Sequence, residues 1–385
     1  MQKKVLYMLL FLVFFVLLFP NAAFAKDPLS RPNNFFGIHI LFPSELDQAK
    51  SLVNSKGGDW GYVTIPIQMY DRDMEKWQQF MDKAKELHVI PLVRLATQNH
   101  PLNTSVWRKP TYSDVLDFSN FLSSLHWPTE NKYIILFNEV NRFDEWAGEY
   151  PNPQEYAAIV SYAHDVFKKK DPNFFMILGG MDAAAPNDNK KYISGLDYLT
   201  ELVATTNIEE KIDGFSSHSY PNPAFSAYPS ENKKVGVATY RFEYELLNKT
   251  APKKLPVFIT ETGWSSKSLP ESVIAQYYDM TISQIWNKDK DKIVAITPFL
   301  LNASGEPFDQ FSFFKNGVEA DFSKLIGSLQ KTKGSPLLST SLNVIHEKKA
   351  KTLSVAKFET TEEKEKKLTI SPLVAMYFKT IFGIN

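Results

Sequence analysis

Eight short runs of apolar, β-branched or aromatic residues, separated by longer segments of helical period, constrain this chain more than any other feature. They are Phe35–Leu41, Tyr62–Ile67, Val89–Ala96, Tyr133–Phe137, Phe174–Gly179, Ile212–Ser217, Leu255–Thr260 and Ile293–Leu300. Strand-like runs alternating with helical segments predict βα units around a parallel sheet. Eight such units over about 300 residues predict a closed (β/α)8 TIM barrel, a fold that uses about 250 residues as one domain. A doubly wound open sheet is the competing architecture, and it often carries a glycine-rich phosphate loop after its first strand. Here Phe35-Phe36-Gly37-Ile38 runs straight into His39.

The segments between the runs carry helix signals. Met74, Trp77, Met81 and Ala84 mark one helical face; Tyr156, Ile159, Val160, Ala163 and Phe167 mark another, which Asp171-Pro172 should end. Ser268 followed by Glu271 is a capping-box pattern, with Pro270 tolerated in the first turn. Val318 to Gln330 can form the closing helix, with Lys331 to Pro336 as its exit.

The barrel is therefore expected over residues 26–335, between two segments of different character. Residues 1–25 combine the basic Lys3 and Lys4, the apolar run Val5 to Phe19 and the small-x-small site Ala23-Phe24-Ala25, which reads as a signal peptide. An uncleaved membrane anchor is the alternative, although about 15 apolar residues is short for a span. Either reading delivers the folded part outside the cytoplasm. Residues 336–385 hold a charged cluster, Glu359 to Lys367, and a last apolar stretch interrupted by Lys379. They are expected to form a small C-terminal extension.

Without Lys3 and Lys4 the chain has 41 basic and 43 acidic side chains, a formal charge of −2. No overall field then favours nucleic acid or acidic lipid. Cysteine is absent, so stability must come from a hydrophobic core, and 44% hydrophobic content supplies one.

In a barrel the active site lies at the C-terminal ends of the strands. Two glutamates occupy such positions. Glu139 ends the fourth run in Ile134-Ile135-Leu136-Phe137-Asn138-Glu139, and Glu261 ends the seventh in Val257-Phe258-Ile259-Thr260-Glu261-Thr262-Gly263-Trp264. Strands four and seven of a closed barrel face one another across the mouth, and two facing carboxyls are what glycosidic bond cleavage requires. A lone glutamate at a strand end would more simply be a solvated or ion-paired residue.

Asn138-Glu139 after the fourth strand and Glu261 after the seventh resemble the clan of retaining (β/α)8 glycoside hydrolases that includes endo-β-glucanases, β-mannanases, galactanases and β-xylosidases. The resemblance covers roughly residues 35–330. Glu261-Thr262-Gly263-Trp264 looks particularly like the nucleophile segments of endo-β-1,3-glucanases and endo-β-1,4-galactanases. It implies Glu139 as acid/base, Glu261 as nucleophile, and Asn138 as a partner of the sugar 2-hydroxyl.

Supporting residues follow. Ser216, His218 and Tyr220 alternate at strand period, which puts His218 or Tyr220 within reach of Glu261. The clan's His-x-Tyr pattern serves the nucleophile there; a core histidine and a packed rim tyrosine are the structural alternatives. Arg94 closes the third strand, where a cation would hold a carboxylate charged. Clan members often carry that arginine after the second strand, which here reads Thr64-Ile65-Pro66-Ile67. The eighth run has Thr297-Pro298-Phe299 where many relatives place a tryptophan under the sugar, so Trp264 or Phe299 is expected as the platform. His39, ending the first strand, is a subsite candidate. The histidines are scattered and no metal-ligand spacing occurs, so neither metal nor cofactor is expected.

Together these readings predict an exported, monomeric retaining glycosidase acting on a β-linked polysaccharide or oligosaccharide. A non-catalytic carbohydrate-binding barrel and a transglycosylase using the same glutamates are the rivals. Sugar, linkage and endo or exo action are set by loops such as Gln98–Tyr112 and Pro221–Lys233.

Overall fold

The computed structural model describes residues 25–303 and 305–339. The signal-peptide reading and all of the C-terminal extension beyond residue 339 lie outside these residues. Eight parallel strands are hydrogen bonded in chain order: β1 (Gly37–His39), β2 (Gly61–Gln68), β3 (Val89–Ala96), β4 (Lys132–Leu136), β5 (Phe174–Leu178), β6 (Gly214–His218), β7 (Val257–Glu261) and β8 (Ile293–Ile296). A parallel bridge between Phe36 and Ile296 brings the ends of the sheet together. Helices α1 (Leu46–Val53), α2 (Met74–Glu86), α3 (Tyr112–Ser124), α4 (Pro153–Lys170), α5 (Gly195–Thr205), α6 (Thr239–Leu247), α7 (Glu271–Gln284) and α8 (Asp321–Ser328) each follow one strand. The (β/α)8 barrel expected from the alternating runs is the fold that forms.

The strands are apolar on both faces because both are covered. Tyr62, Leu92, Tyr133, Ile135, Phe175 and Phe258 pack inside the barrel. Their neighbours Val63, Val93, Ile134, Val257 and Ile259 point outward into the core shared with the helices. Burying one such side chain is worth about 1.5–3 kcal/mol. The inner layer is a packed floor, and polar residues become frequent only toward the strands' C-terminal ends.

The helix signals hold with three corrections. In α4 all five expected face residues are buried, Asn152 caps the first turn, and the helix ends at Lys170 just before Asp171-Pro172. In α2 Trp77, Met81 and Ala84 are buried together with Phe80, whereas Met74 opens the helix and is exposed. The Ser268–Glu271 capping box does not form. Pro270 takes the N-cap position with no side-chain bond, and Glu271 instead accepts the backbone N–H of Asp321. The closing helix is shorter than expected, because Val318–Glu319 pairs with Phe314–Lys315 as a small hairpin before α8 begins. Lys331 then buries its ammonium, donating to the Ile326 and Leu329 carbonyls at the end of α8 and to Ser55.

The two ends of the described chain lie at the N-terminal ends of the strands. The Lys26 N–H donates to Asn131, just before β4, and the Leu337 carbonyl accepts from Glu130. Ser339 donates to the Pro128 carbonyl beside them. Among the described residues no helix is long and apolar enough to cross a membrane.

Candidate active site

Both glutamates reach the barrel mouth because their strands break the regular alternation of side chains. On β7 the register runs Ser217 to Ile259 and then His218 to Glu261, so Thr260 is the extra residue of a bulge. Phe258 points inside and Thr260 hydrogen bonds to Ser216; without the bulge Glu261 would turn toward the helices. After β4, Phe137 and Glu139 adopt positive φ values of 67° and 37°. Phe137 is thereby buried in the outer core while the adjacent Asn138 and Glu139 both belong to the mouth. Non-glycine residues in that region cost about 1–3 kcal/mol each and persist where the surroundings hold them. Here the Glu139 N–H is pinned to the Gly180 carbonyl at 2.9 Å.

One oxygen of Glu139, one of Glu261 and a ring nitrogen of His218 lie within 4.8 Å of one another. His218 Nδ1 sits 2.9 Å from Glu139 Oε1 and 3.9 Å from Glu261 Oε2. Tyr220 donates its hydroxyl to Glu261 Oε2 at 3.1 Å. Arg94 Nη1 donates to Glu261 Oε1 at 2.6 Å and to Asn138 Oδ1 at 2.8 Å. The third-strand arginine thus meets the seventh-strand glutamate directly. Three clustered donors are also a possible metal ligand set, but a guanidinium in contact with Glu261 sets the local field against a second cation.

The electrostatics separate the two carboxyls. Burial raises the pKa of Glu139, and Asp182 adds to the shift; the His218 hydrogen bond and Arg142 pull against it without cancelling it. Burial pushes Glu261 up as well, yet His218, Arg94 and the Tyr220 hydroxyl outweigh it and leave the pKa lowered. His218 itself is raised: burial favours its neutral form, but Glu261 and Glu139 favour the imidazolium. The site therefore offers one carboxyl disposed to hold a proton and one disposed to be charged, the combination that divides acid from base or nucleophile.

The remaining sequence candidates divide. His39 is fully buried, edge-on to Phe299 at 5.1 Å, and burial together with Arg94 lowers its pKa to about 3. It is a neutral ring beside the charged cluster. Phe299 packs with Tyr220, Phe308 and Phe311 at the rim. Trp264 does not fit the platform role: it is 1% exposed, its indole N–H is taken by the Ala227 carbonyl, and its ring packs on Tyr277 and Tyr278 in the outer core. The left-handed Gly263 (φ 149°) beside it lets the chain turn between Glu261 and that buried ring.

Several neighbours of the pair were not singled out from sequence. Arg142 grips Asp144 with two bonds and Asp182 with a third, and its Nε lies 3.8 Å from Glu139 Oε2. Glu145 accepts from the Asn138 amide at 3.2 Å. Gly180 has no room for a side chain, since a Cβ would fall 2.4 Å from His218 Cδ2. Asp182 and Gly180 follow the fifth strand, so the strand-end rule that found the glutamates would have reached them. Arg142 and Glu145 sit in the loop after β4, where only the folded loop reveals their direction.

No protein-family model and no curated protein matches the sequence. Among solved structures the chain is similar to a family 39 glycoside hydrolase from Bacteroides cellulosilyticus, at a TM-score of 0.54 and 17% identity over 79% of this chain and 65% of that one. It is also similar to a monomeric β-xylosidase from Caulobacter crescentus, at 0.52 and 14% over 79% and 71%. An endo-β-1,4-glucanase from Xanthomonas axonopodis pv. citri matches at 0.50 and 13%, over 76% of this chain and 97% of the enzyme. The chain thus spans about two thirds of the Bacteroides enzyme, and at these identities what it shares with all three is the (β/α)8 fold.

Proposed function

We propose that the chain is an exported glycosidase that cleaves β-linked sugars with retention, by double displacement. The observation that carries the reading is the pair of buried carboxyls at the C-terminal ends of β4 and β7, with one oxygen of each within 4.8 Å of the other and pKa values displaced in opposite directions. Retaining enzymes hold their carboxyl groups about 5–5.5 Å apart, whereas inverting enzymes leave about 6.5–9.5 Å for a water. In this reading Glu261, charged and oriented by Arg94 and Tyr220, attacks the anomeric carbon. Glu139 gives its proton to the leaving oxygen and then takes one from the water that releases the sugar. Asn138 meets the 2-hydroxyl. That solved neighbours include a β-xylosidase and an endo-β-1,4-glucanase supports a β-linked carbohydrate as substrate.

The test is a panel of β-linked polysaccharides and aryl β-glycosides, read by reducing-end release and by NMR of the first-formed anomer. Hydrolysis with a β-anomer first is expected. An α-anomer first would overturn retention, glycosyl transfer in place of hydrolysis would make the protein a transglycosylase, and binding without turnover would make it a carbohydrate-binding barrel.

Two further results are expected on an accepted glycoside. The pH profile of kcat/KM should have its acid limb below the ordinary glutamate value of 4.5, from Glu261, and its alkaline limb above it, from Glu139. Tyr220→Phe removes a donor to the ionised form and should move the acid limb to higher pH; an unmoved limb would exclude this role. Gly180→Ala forces its methyl against the His218 ring and should lower kcat/KM by about 10²-fold through misplaced chemistry. Full activity in the folded variant would show that the His218–Glu139 contact is dispensable.

A further inference from the structure

Glu145 is a third carboxyl at the mouth, and the proposed mechanism gives it no task. It lies on the loop after β4, half-buried, with Arg94, Thr97, Trp107, Pro110 and Asn138 around the same small cavity of about 20 Å³. Its geometry toward Asn138 is specific. Arginine only donates, so the Asn138 atom 2.8 Å from Arg94 Nη1 must be the amide oxygen. The amide nitrogen then faces Glu145 Oε1, which takes one of its two N–H groups at 3.2 Å.

We propose that Glu145 is a positioning residue: together with Arg94 it clamps the Asn138 amide from both ends, reserving the second N–H for a substrate hydroxyl beside the glutamate pair. The substrate half of this statement rests on the glycosidase reading; the clamp does not. Two anchors are needed because a side-chain amide held only at its oxygen can swing about that bond, and a donor that must meet one hydroxyl in the transition state loses its value when it wanders.

The surroundings favour Glu145 in its neutral form. Burial raises its pKa to about 8, and the charges of Asp144 and Glu139 push the same way, while the Asn138 bond and Arg94 oppose them. A neutral carboxyl still accepts through its carbonyl oxygen, so the clamp holds without placing a third negative charge beside Glu139. Glutamine has the same carbonyl in the same place, which makes Glu145→Gln the conservative control. Alanine removes the acceptor and enlarges a cavity already of a size to admit one water, which can then compete for the amide.

The experiment has two arms. In crystal structures of Glu145→Ala and Glu145→Gln, the Asn138 amide should be displaced or spread over several positions in the first and stay in place in the second. An amide held in place in the alanine variant would overturn the clamp, whether or not the protein is a glycosidase. In the kinetic arm, the aryl β-glycoside accepted in the panel is compared with its 2-deoxy analogue. The ratio of kcat/KM between them should fall roughly tenfold in Glu145→Ala, with the loss mainly in kcat, because the 2-hydroxyl bond strengthens in the transition state. Glu145→Gln should keep the ratio within about threefold. An unchanged ratio in a displaced-amide variant would leave the clamp standing and reject its role toward the 2-hydroxyl.

Discussion

Glu261→Ala is expected to lower kcat by on the order of 10⁴-fold or more on an accepted β-glycoside, about 5.5 kcal/mol of barrier. The reasoning begins from what surrounds the carboxyl. Arg94 and Tyr220 both donate to it, and Arg94 and His218 keep it charged despite burial. Groups arranged this way serve an anion that must be in place before reaction, not a proton donor. Removing the carboxylate leaves the anomeric carbon without its covalent partner but keeps a cavity on that face. Azide should enter the cavity, restore part of the rate and yield an α-glycosyl azide. An active Glu261→Ala enzyme, or a β-azide from it, would reject Glu261 as nucleophile.

For Glu139→Ala the loss should depend on the leaving group. Natural sugar leaving groups need the proton, so kcat/KM on them should fall by about 10²–10⁴-fold. Activated aryl glycosides leave without help, so their first step should be nearly intact while release of the glycosyl-enzyme slows. A burst of phenol followed by a slow phase is the expected record, and azide should speed the slow phase and give a β-glycosyl azide. Equal losses on good and poor leaving groups would remove the acid role. The raised pKa of Glu139, due first to burial and then to Asp182, favours the protonated form that an acid role requires.

The barrel was legible because its signal is repeated. Eight apolar runs need only be counted, and an error at one boundary leaves the count intact. The site was legible in part. Glu139, Glu261, His218, Tyr220, Arg94 and Asn138 do meet, since strand ends of a closed barrel converge by construction. The way Glu261 gets there was not readable. Strict alternation from the inward Phe258 predicts an outward Glu261, and only the extra Thr260 reverses it. No residue type announces such a bulge in advance. Trp264 misled for a related reason. An aromatic beside a strand end looks like a sugar platform, but a turn through Gly263 carries it behind the sheet, where its N–H finds the Ala227 carbonyl. Glu145 was missed because a carboxylate in a loop resembles any solvated one until its neighbours are known.

The places where the described residues leave the barrel have a practical bearing. Lys26 and Leu337 are stitched to the short segment before β4, on the far side of the barrel from the glutamates. A tether attached before residue 26 or after residue 339 therefore pulls on the closed underside. Held that way on a resin, the barrel would present its mouth away from the support. A handle joined directly at either point starts on the face opposite the two glutamates.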